Sequence, residues 1–169
     1  MTESPLDRAL VEEATKKSGL IWVRGDGPDR PLWHVWHEGA ALVLGDGPGE
    51  QPLPGLVDGG TATVTVRSKD KGGRLVAWTA RVVELAPDGE QWTAAVQELK
   101  GKRLNAHDGE EAPGRWAREC RVLRLEVGAV DAEVPTGSLA AVPLETPVTT
   151  RQPAPAALPK LLLRRRRGR

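Results

Sequence analysis

Short runs in which apolar and polar residues alternate are the main feature of residues 20–127. In TATVTVR, residues 61–67, Ala62, Val64 and Val66 fall on one face of an extended strand. The intervening threonines fall on the other face, so the run predicts a strand with one buried and one wet face. Similar runs bounded by Gly, Pro and Asp predict five successive strands, at residues 20–24, 32–37, 40–44, 61–68 and 75–85.

Helical spacing of apolar residues appears before, between and after these strands. A first helix is predicted to begin at Pro5, just after Ser4, and to run to about Lys17. A second is predicted to follow Asp88, the expected N-cap, and its apolar residues are Trp92, Ala95, Val96 and Leu99. A short helix around residues 115–119 precedes a closing strand, RVLRLEV, at residues 121–127. The predicted order, without that short helix, is αβββββαβ.

The links between the predicted strands indicate the fold class. They are of hairpin length, which is too short for the helical crossovers that parallel strands require. A mainly β fold with flanking helices is therefore expected, in the form of a small antiparallel split β-barrel that removes exposed sheet edges. From Val134 to Pro159 the chain is rich in Pro, Thr and Ala without periodicity. We therefore predict a domain over residues 1–128 and a disordered linker and tail over residues 129–169.

Charge is distributed unevenly along the 169 residues, although the formal net charge is only +1. Residues 1–150 carry a net charge of −6 and the last 19 residues carry +7. The basic segment from Arg164 to Arg169 is expected to make weak contacts with an anionic surface or with nucleic acid, and an unstructured appendage is the alternative.

Two further features limit the class of protein. No apolar run approaches the roughly 20 residues of a membrane-spanning helix, and the first residues contain no apolar block of signal-peptide length. With Cys120 as the single cysteine, a cytoplasmic location is expected. His34 and His37 lie three positions apart in a predicted strand and project to opposite faces, so no shared metal ion is expected.

Three segments occur in an order that is similar to a known family: SGLIWVRGDGPDRPLWHVWHEGAALVLGDG, ATVTVRSKDKGGRLVAWTARVVEL and EQWTAAVQELKGKR. Over residues 5–127 the chain resembles the FMN-binding split-barrel family of pyridoxamine 5′-phosphate oxidase and its flavin- or deazaflavin-dependent relatives. Family members that bind FMN commonly follow the third strand with Ser or Thr and Lys, which hold the phosphate, and then with a helix. Here residues 45–60 contain no Lys or Arg, and Pro52 and Pro54 oppose a helix.

The resemblance implies two groups of cofactor-binding residues. In the family the second strand lines the flavin ring, which places Trp33, His34 and Trp36 at ring-contact positions. A basic hairpin is the candidate substitute for the missing phosphate grip, and it consists of Arg67, Ser68, Lys69, Lys71 and Arg74. The alternatives are that the tryptophans belong to the core or to a dimer interface, and that the basic cluster is a solvated turn.

Two functions remain open from the sequence. The resemblance implies an oxidoreductase that uses FMN or a deazaflavin, with the chemistry supplied by the cofactor. The alternative is a non-catalytic cofactor-binding or scaffold module of the same fold that has lost the phosphate grip. The resemblance also implies a C₂ homodimer. Neither the substrate nor a catalytic residue is predicted.

Overall fold

The computed structural model describes residues 5–68, 73–103 and 108–131. Lys69, Lys71 and the predicted tail from residue 132 onward, including its basic end, lie outside the described residues. The described elements in chain order are α1 (Pro5–Lys17), β1 (Leu20–Arg24), β2 (Arg30–Trp33), β3 (Val35–His37), β4 (Ala40–Gly45), β5 (Thr61–Arg67), β6 (Arg74–Glu84), α2 (Glu90–Lys102), a 3₁₀ turn (Gly109–Glu111), α3 (Ala112–Glu119) and β7 (Arg121–Asp131).

The seven described strands form one antiparallel sheet in the order β2-β1-β5-β6-β7-β4-β3. The sheet is curled into a half-barrel with flanking helices, which confirms the predicted fold class. The long hairpin predicted at residues 61–85 is β5 and β6, whose register runs from Thr61 opposite Arg81 to Arg67 opposite Arg74. No described helix is long and apolar enough to cross a membrane.

The two edges of this sheet are joined by a single residue. β2 pairs with β1 at one edge and β3 pairs with β4 at the other, yet only His34 separates them in the chain. The prediction of one continuous strand at residues 32–37 was therefore wrong. Because two residues of extended chain span about 7 Å at most, the sheet has to curl until both edges meet at His34.

The core lies on both faces of the curled sheet. The alternation in TATVTVR is confirmed, because Ala62, Val64 and Val66 are buried with the inner apolar cluster and with residues of α1. A second apolar cluster lies between the sheet and the two later helices. Its α2 members are those predicted from the sequence, namely Trp92, Ala95, Val96 and Leu99.

Some element ends differ from the predictions. Asp88 is not the N-cap of α2, because it adopts a left-handed conformation with φ +68 that completes the preceding turn, and Gly89 occupies the N-cap position. The closing strand continues past residue 127 to Asp131, because Val130 and Asp131 still pair with β6. The segment 45–60 contains no helix, as its prolines predicted.

Candidate functional site

A cleft of about 470 Å³ lies where the chain passes from one sheet edge to the other. We call it the strand-switch cleft. It is lined by residues of the β2–β3 segment, of the C-terminal end of α1 and the link after it, and of α2: Trp33, His34, Val35, Trp36, Lys16, Ser18, Gly19, Glu98 and Lys102. The three residues predicted to contact a ring are therefore brought together in one cavity.

His34 is a buried residue of the cleft, and its side chain links the junction of the two sheet edges to α1. Its Nε2 atom lies 3.0 Å from the backbone oxygen of Thr15. A carbonyl oxygen can only accept, so Nε2 carries the hydrogen and donates this bond. Burial lowers the pKa of His34, while the carbonyls of Thr15 and Leu32 act in the opposite direction. The imidazole is consequently neutral at pH 7 and contributes a polar group without charge to the cleft.

The two cleft tryptophans pack against different apolar clusters. Trp36 makes an edge-to-face contact with the inner Trp78, with ring centroids 6.5 Å apart. Trp33 packs against the second apolar cluster, between the sheet and the helices α2 and α3, and the guanidinium of Arg103 lies 5.7 Å from the Trp33 ring centroid. Trp36 thus packs with the inner cluster, and Trp33 and Val35 pack with the cluster under α2 and α3. Both rings also line the cleft, so a core role and a ligand-contact role are compatible.

Gln51 holds the backbone of Trp33 in place, which the sequence did not reveal. The backbone N–H of Trp33 donates to Oε1 of Gln51 at 2.8 Å, and Nε2 of Gln51 donates to the backbone oxygen of Trp33 at 2.9 Å. The same Nε2 also donates to the backbone oxygen of Leu44 at 3.0 Å. Because β2 is an edge strand, its outward backbone groups need partners, and this side chain supplies them.

Glu50 forms a buried ionic network beside the cleft, and this group too was missed. Its side chain is 2% exposed, and its carboxylate lies 2.6 Å from Arg103 and 3.2 Å from Arg115. Arg115 also donates to Asp108 at 2.6 Å, a bond that raises the pKa of Arg115 and lowers that of Asp108. The signal in the sequence was a segment, residues 45–60, whose charges are all acidic and must find cations elsewhere.

The Glu50 network shows what residues 45–60, the segment in place of the usual phosphate grip, bind in this structure. Two arginines converge on an anion there, and the anion is the protein's own Glu50 carboxylate. Cations at the C-terminal end of a helix can complement its dipole without any other partner. In the structure Arg103 pairs with Glu50, and Lys100 pairs with Glu110 at 2.6 Å.

Of the predicted basic cluster, the structure describes Arg67, Ser68 and Arg74, and Arg67 and Arg74 lie opposite each other in the β5–β6 register. Arg67 and Ser68 line a second cavity, between α1 and the β5–β6 hairpin, and the guanidinium of Arg67 lies 4.1 Å from the ring centroid of Trp22. Arg74 instead donates to Asp131 at 2.9 Å. Ser18 lines both cavities, so the second cavity adjoins the strand-switch cleft. Within the described residues, no group of three or more His, Cys, Asp or Glu side chains is arranged to hold a metal ion.

Comparison with solved structures supports the fold. The chain is similar to HutZ, the heme storage protein from Vibrio cholerae, with a TM-score of 0.51 and 11% identity over 72% of this chain and 91% of that chain. An FAD-binding protein from Mesorhizobium loti gives a TM-score of 0.47 and 14% identity over 77% of this chain and 92% of that chain. No family model matches the chain, and no curated protein matches it. The likeness to HutZ shows the shared half-barrel fold.

Proposed function

We propose that this protein binds a planar cofactor of the flavin class in the strand-switch cleft. The observation that carries the proposal is the joint placement of Trp33, His34 and Trp36 in one cavity of about 470 Å³. Two half-buried indoles offer aromatic surface to a flat ring, and such pairs contribute about 0.5–1.5 kcal/mol beyond area burial. Lys102 and Glu98 line the same cavity, and Lys16, which also lines it, is paired with Glu12.

The residues present fit the ring of such a cofactor better than its phosphate. Residues 45–60 provide no cation, and the arginines beside them are bound to Glu50. A phosphate therefore has to rely on Lys16 or Lys102, or on Arg67 in the adjoining cavity. We expect FMN to bind only modestly more tightly than riboflavin, in contrast to a site with a dedicated phosphate grip.

Redox activity would come from the bound group, because a flavin or deazaflavin supplies hydride chemistry that side chains lack. The contribution of this chain is to bind and orient the ring. Trp36 is held against Trp78, and the Trp33 backbone is held by Gln51. The neutral His34 has its Nε2–H engaged by Thr15. We propose an oxidoreductase of this type, which in the family would be a C₂ homodimer.

A non-catalytic binding module is the second candidate, and the Glu50 network favours it. A carboxylate between Arg103 and Arg115 fills the position where the segment after β4 could have held a ligand anion. HutZ, which shares the fold, is a heme storage protein. Heme storage is therefore one use of this fold, and hemin belongs among the probes.

Titration of the full chain with FMN, riboflavin, a deazaflavin and hemin tests the proposal, with absorbance between about 350 and 500 nm as the readout. We expect saturable binding of at least one flavin-class ring with about micromolar Kd. Trp36→Ala should weaken it about tenfold, the equivalent of about 1.4 kcal/mol. With riboflavin, which has no phosphate for Arg67 to contact, Trp22→Ala is the matched control, because Trp22 is a half-buried indole that does not line the cleft.

The outcomes distinguish the candidates. Flavin binding with turnover of a reduced nicotinamide supports the oxidoreductase, and binding without turnover supports the module. No binding of any probe at about 50 μM, a concentration that would detect even weak association, contradicts both. Light scattering should report about twice 18.2 kDa for the homodimer.

A further inference from the structure

A second cavity, of about 410 Å³, lies between α1 and the end of the β5–β6 hairpin. We call it the α1–hairpin groove. Its apolar surface comes from Leu10 and Ala14 of α1 and from Leu75 of β6, and its polar groups come from Glu13, Lys17, Ser18, Arg67 and Ser68. The groove therefore combines an apolar wall with charged and hydroxyl groups.

The leucines of this groove are exposed, unlike those of the core. Leu10 is 40% exposed and Leu75 is 42% exposed, whereas every core leucine is 6% exposed or less. Leu6 is also exposed and lies one turn before Leu10 on α1, where residues four apart share a face. The apolar wall thus continues along the helix. Leucines grouped on one helix face beside a strand end offer a larger apolar surface than single scattered side chains do.

The charges that line the groove favour an anion. Among the described residues that line the groove, Glu13 is paired with Lys17 at 2.5 Å, which leaves the positive charge of Arg67 as the excess. The guanidinium of Arg67 is fixed against the Trp22 ring at 4.1 Å. Stacking uses the face of a guanidinium, whereas its N–H donors lie in the plane and match a carboxylate. Arg67 is therefore a positioned donor beside an apolar wall.

We propose that the α1–hairpin groove binds an amphipathic monoanion, namely a straight-chain alkyl carboxylate. The alkyl chain lies against Leu10, Ala14 and Leu75, and the carboxylate accepts hydrogen bonds from Arg67. None of these four residues lines the strand-switch cleft, so the inference does not depend on a ring bound there. Of the four, only Arg67 could also contact a cofactor phosphate, so the titrations use protein without added flavin.

Isothermal titration of the full chain with octanoate, decanoate and dodecanoate tests the proposal. Each added pair of methylenes should tighten binding by up to about fifteenfold, since one buried methylene corresponds to about fourfold. Decanol has the chain without the charge and should bind at least about tenfold more weakly than decanoate. Arg67→Gln should remove that difference, whereas Arg24→Gln, a matched change of an exposed strand arginine, should preserve it.

The apolar wall is tested by Leu10→Asp and Leu75→Asp, each checked for folding by circular dichroism and thermal melting. Both should abolish dodecanoate binding. Val57→Asp, which changes an exposed apolar residue outside the groove, should leave it intact. Two groove variants on different elements keep the test decisive if one of them fails to fold.

Several results would overturn the assignment. One is the absence of saturable heat with dodecanoate at about 1 mM, a concentration that detects binding of about −4 kcal/mol. Equal affinity for decanol and decanoate would refute the anion site. Loss of binding in Val57→Asp as well would indicate detergent-like association. A dimer that dissociates in Leu10→Asp, with no carboxylate binding by the unmodified protein, would assign the groove to a second copy of the chain.

Discussion

Replacing Glu50 by Gln tests whether the segment after β4 is held by charge. The carboxylate is 2% exposed and contacts Arg103 at 2.6 Å and Arg115 at 3.2 Å. Gln keeps the shape and one accepting oxygen, but it removes the negative charge between two cations. The change therefore isolates the ionic contribution with little effect on packing.

The expected loss of stability follows from the exposure of the three side chains. Removing one partner of a fully buried pair costs about 3–5 kcal/mol, and exposed pairs contribute about 0.2–1 kcal/mol. Arg103 and Arg115 keep exposures of 23% and 26%, so water can partly solvate them after the change. We expect a loss of about 2–3 kcal/mol, or about 6–12 °C in the thermal midpoint for a domain of this size.

Urea unfolding followed by circular dichroism measures this loss, with Glu12→Gln as the matched control. Glu12 pairs with Lys16 on the surface of α1, where both side chains are about half exposed. The control should lose at most about 0.5 kcal/mol. Because Arg103 also lies over Trp33, Glu50→Gln should in addition shift tryptophan emission. If Glu50→Gln is as stable as the control and its emission is unchanged, the network does not position this segment and our reasoning is refuted.

Three further predictions concern stability. Burial lowers the pKa of His34 in the folded protein below about 6.5, the usual value in an unfolded chain. Below that pH the unfolded state binds the extra proton, so stability falls as pH decreases toward the folded pKa. Urea midpoints at pH 7.5 and 5.0 should show this loss, which should be reduced in His34→Gln and retained in His37→Gln. In Gly45→Ala the new carbon would lie 2.2 Å from a backbone oxygen, so calorimetry should show a loss of about 1–3 kcal/mol or more, whereas Gly19→Ala, with nothing within 4 Å, should be nearly neutral. Truncation after Asp131 should leave the thermal midpoint within a few degrees, about 1 kcal/mol, and a larger decrease would contradict the predicted disordered tail.

Local pattern predicted most of the elements because it reports which face of a strand or helix is buried. Ala62, Val64 and Val66 alternate strictly, and their strand is found as expected. The run 32–37 shows the limit of this approach. Its apolar and aromatic residues favour extended structure throughout, and no Gly or Pro marks His34 as a boundary. The break arises because β1 and β4 pair with the two halves at opposite sheet edges, which is a property of the whole sheet.

The sequence likewise predicted the part of the site that is local in the chain and missed the part that depends on tertiary packing. Trp33, His34 and Trp36 are neighbours in sequence, so a resemblance of one strand was enough to group them. Glu50 and its arginines come from distant parts of the chain and meet only after α2 and α3 pack on the sheet. The prediction grouped Arg67 with Arg74 by sequence proximity, and the β5–β6 register does place them opposite each other, but Arg74 donates a hydrogen bond to Asp131 at the end of β7.

The single-residue link at His34 also constrains the order of folding. Two local hairpins, β1–β2 and β3–β4, are neighbours in the chain, yet they dock on opposite edges of the sheet formed by β5, β6 and β7. Neither docking step is local, so we expect slow folding compared with a helical protein of this length. Once one hairpin has docked, the other begins within about 7 Å of it, and little loop-closure entropy remains to be lost. The two docking events should therefore occur as one cooperative step, without a populated state in which only one hairpin is attached.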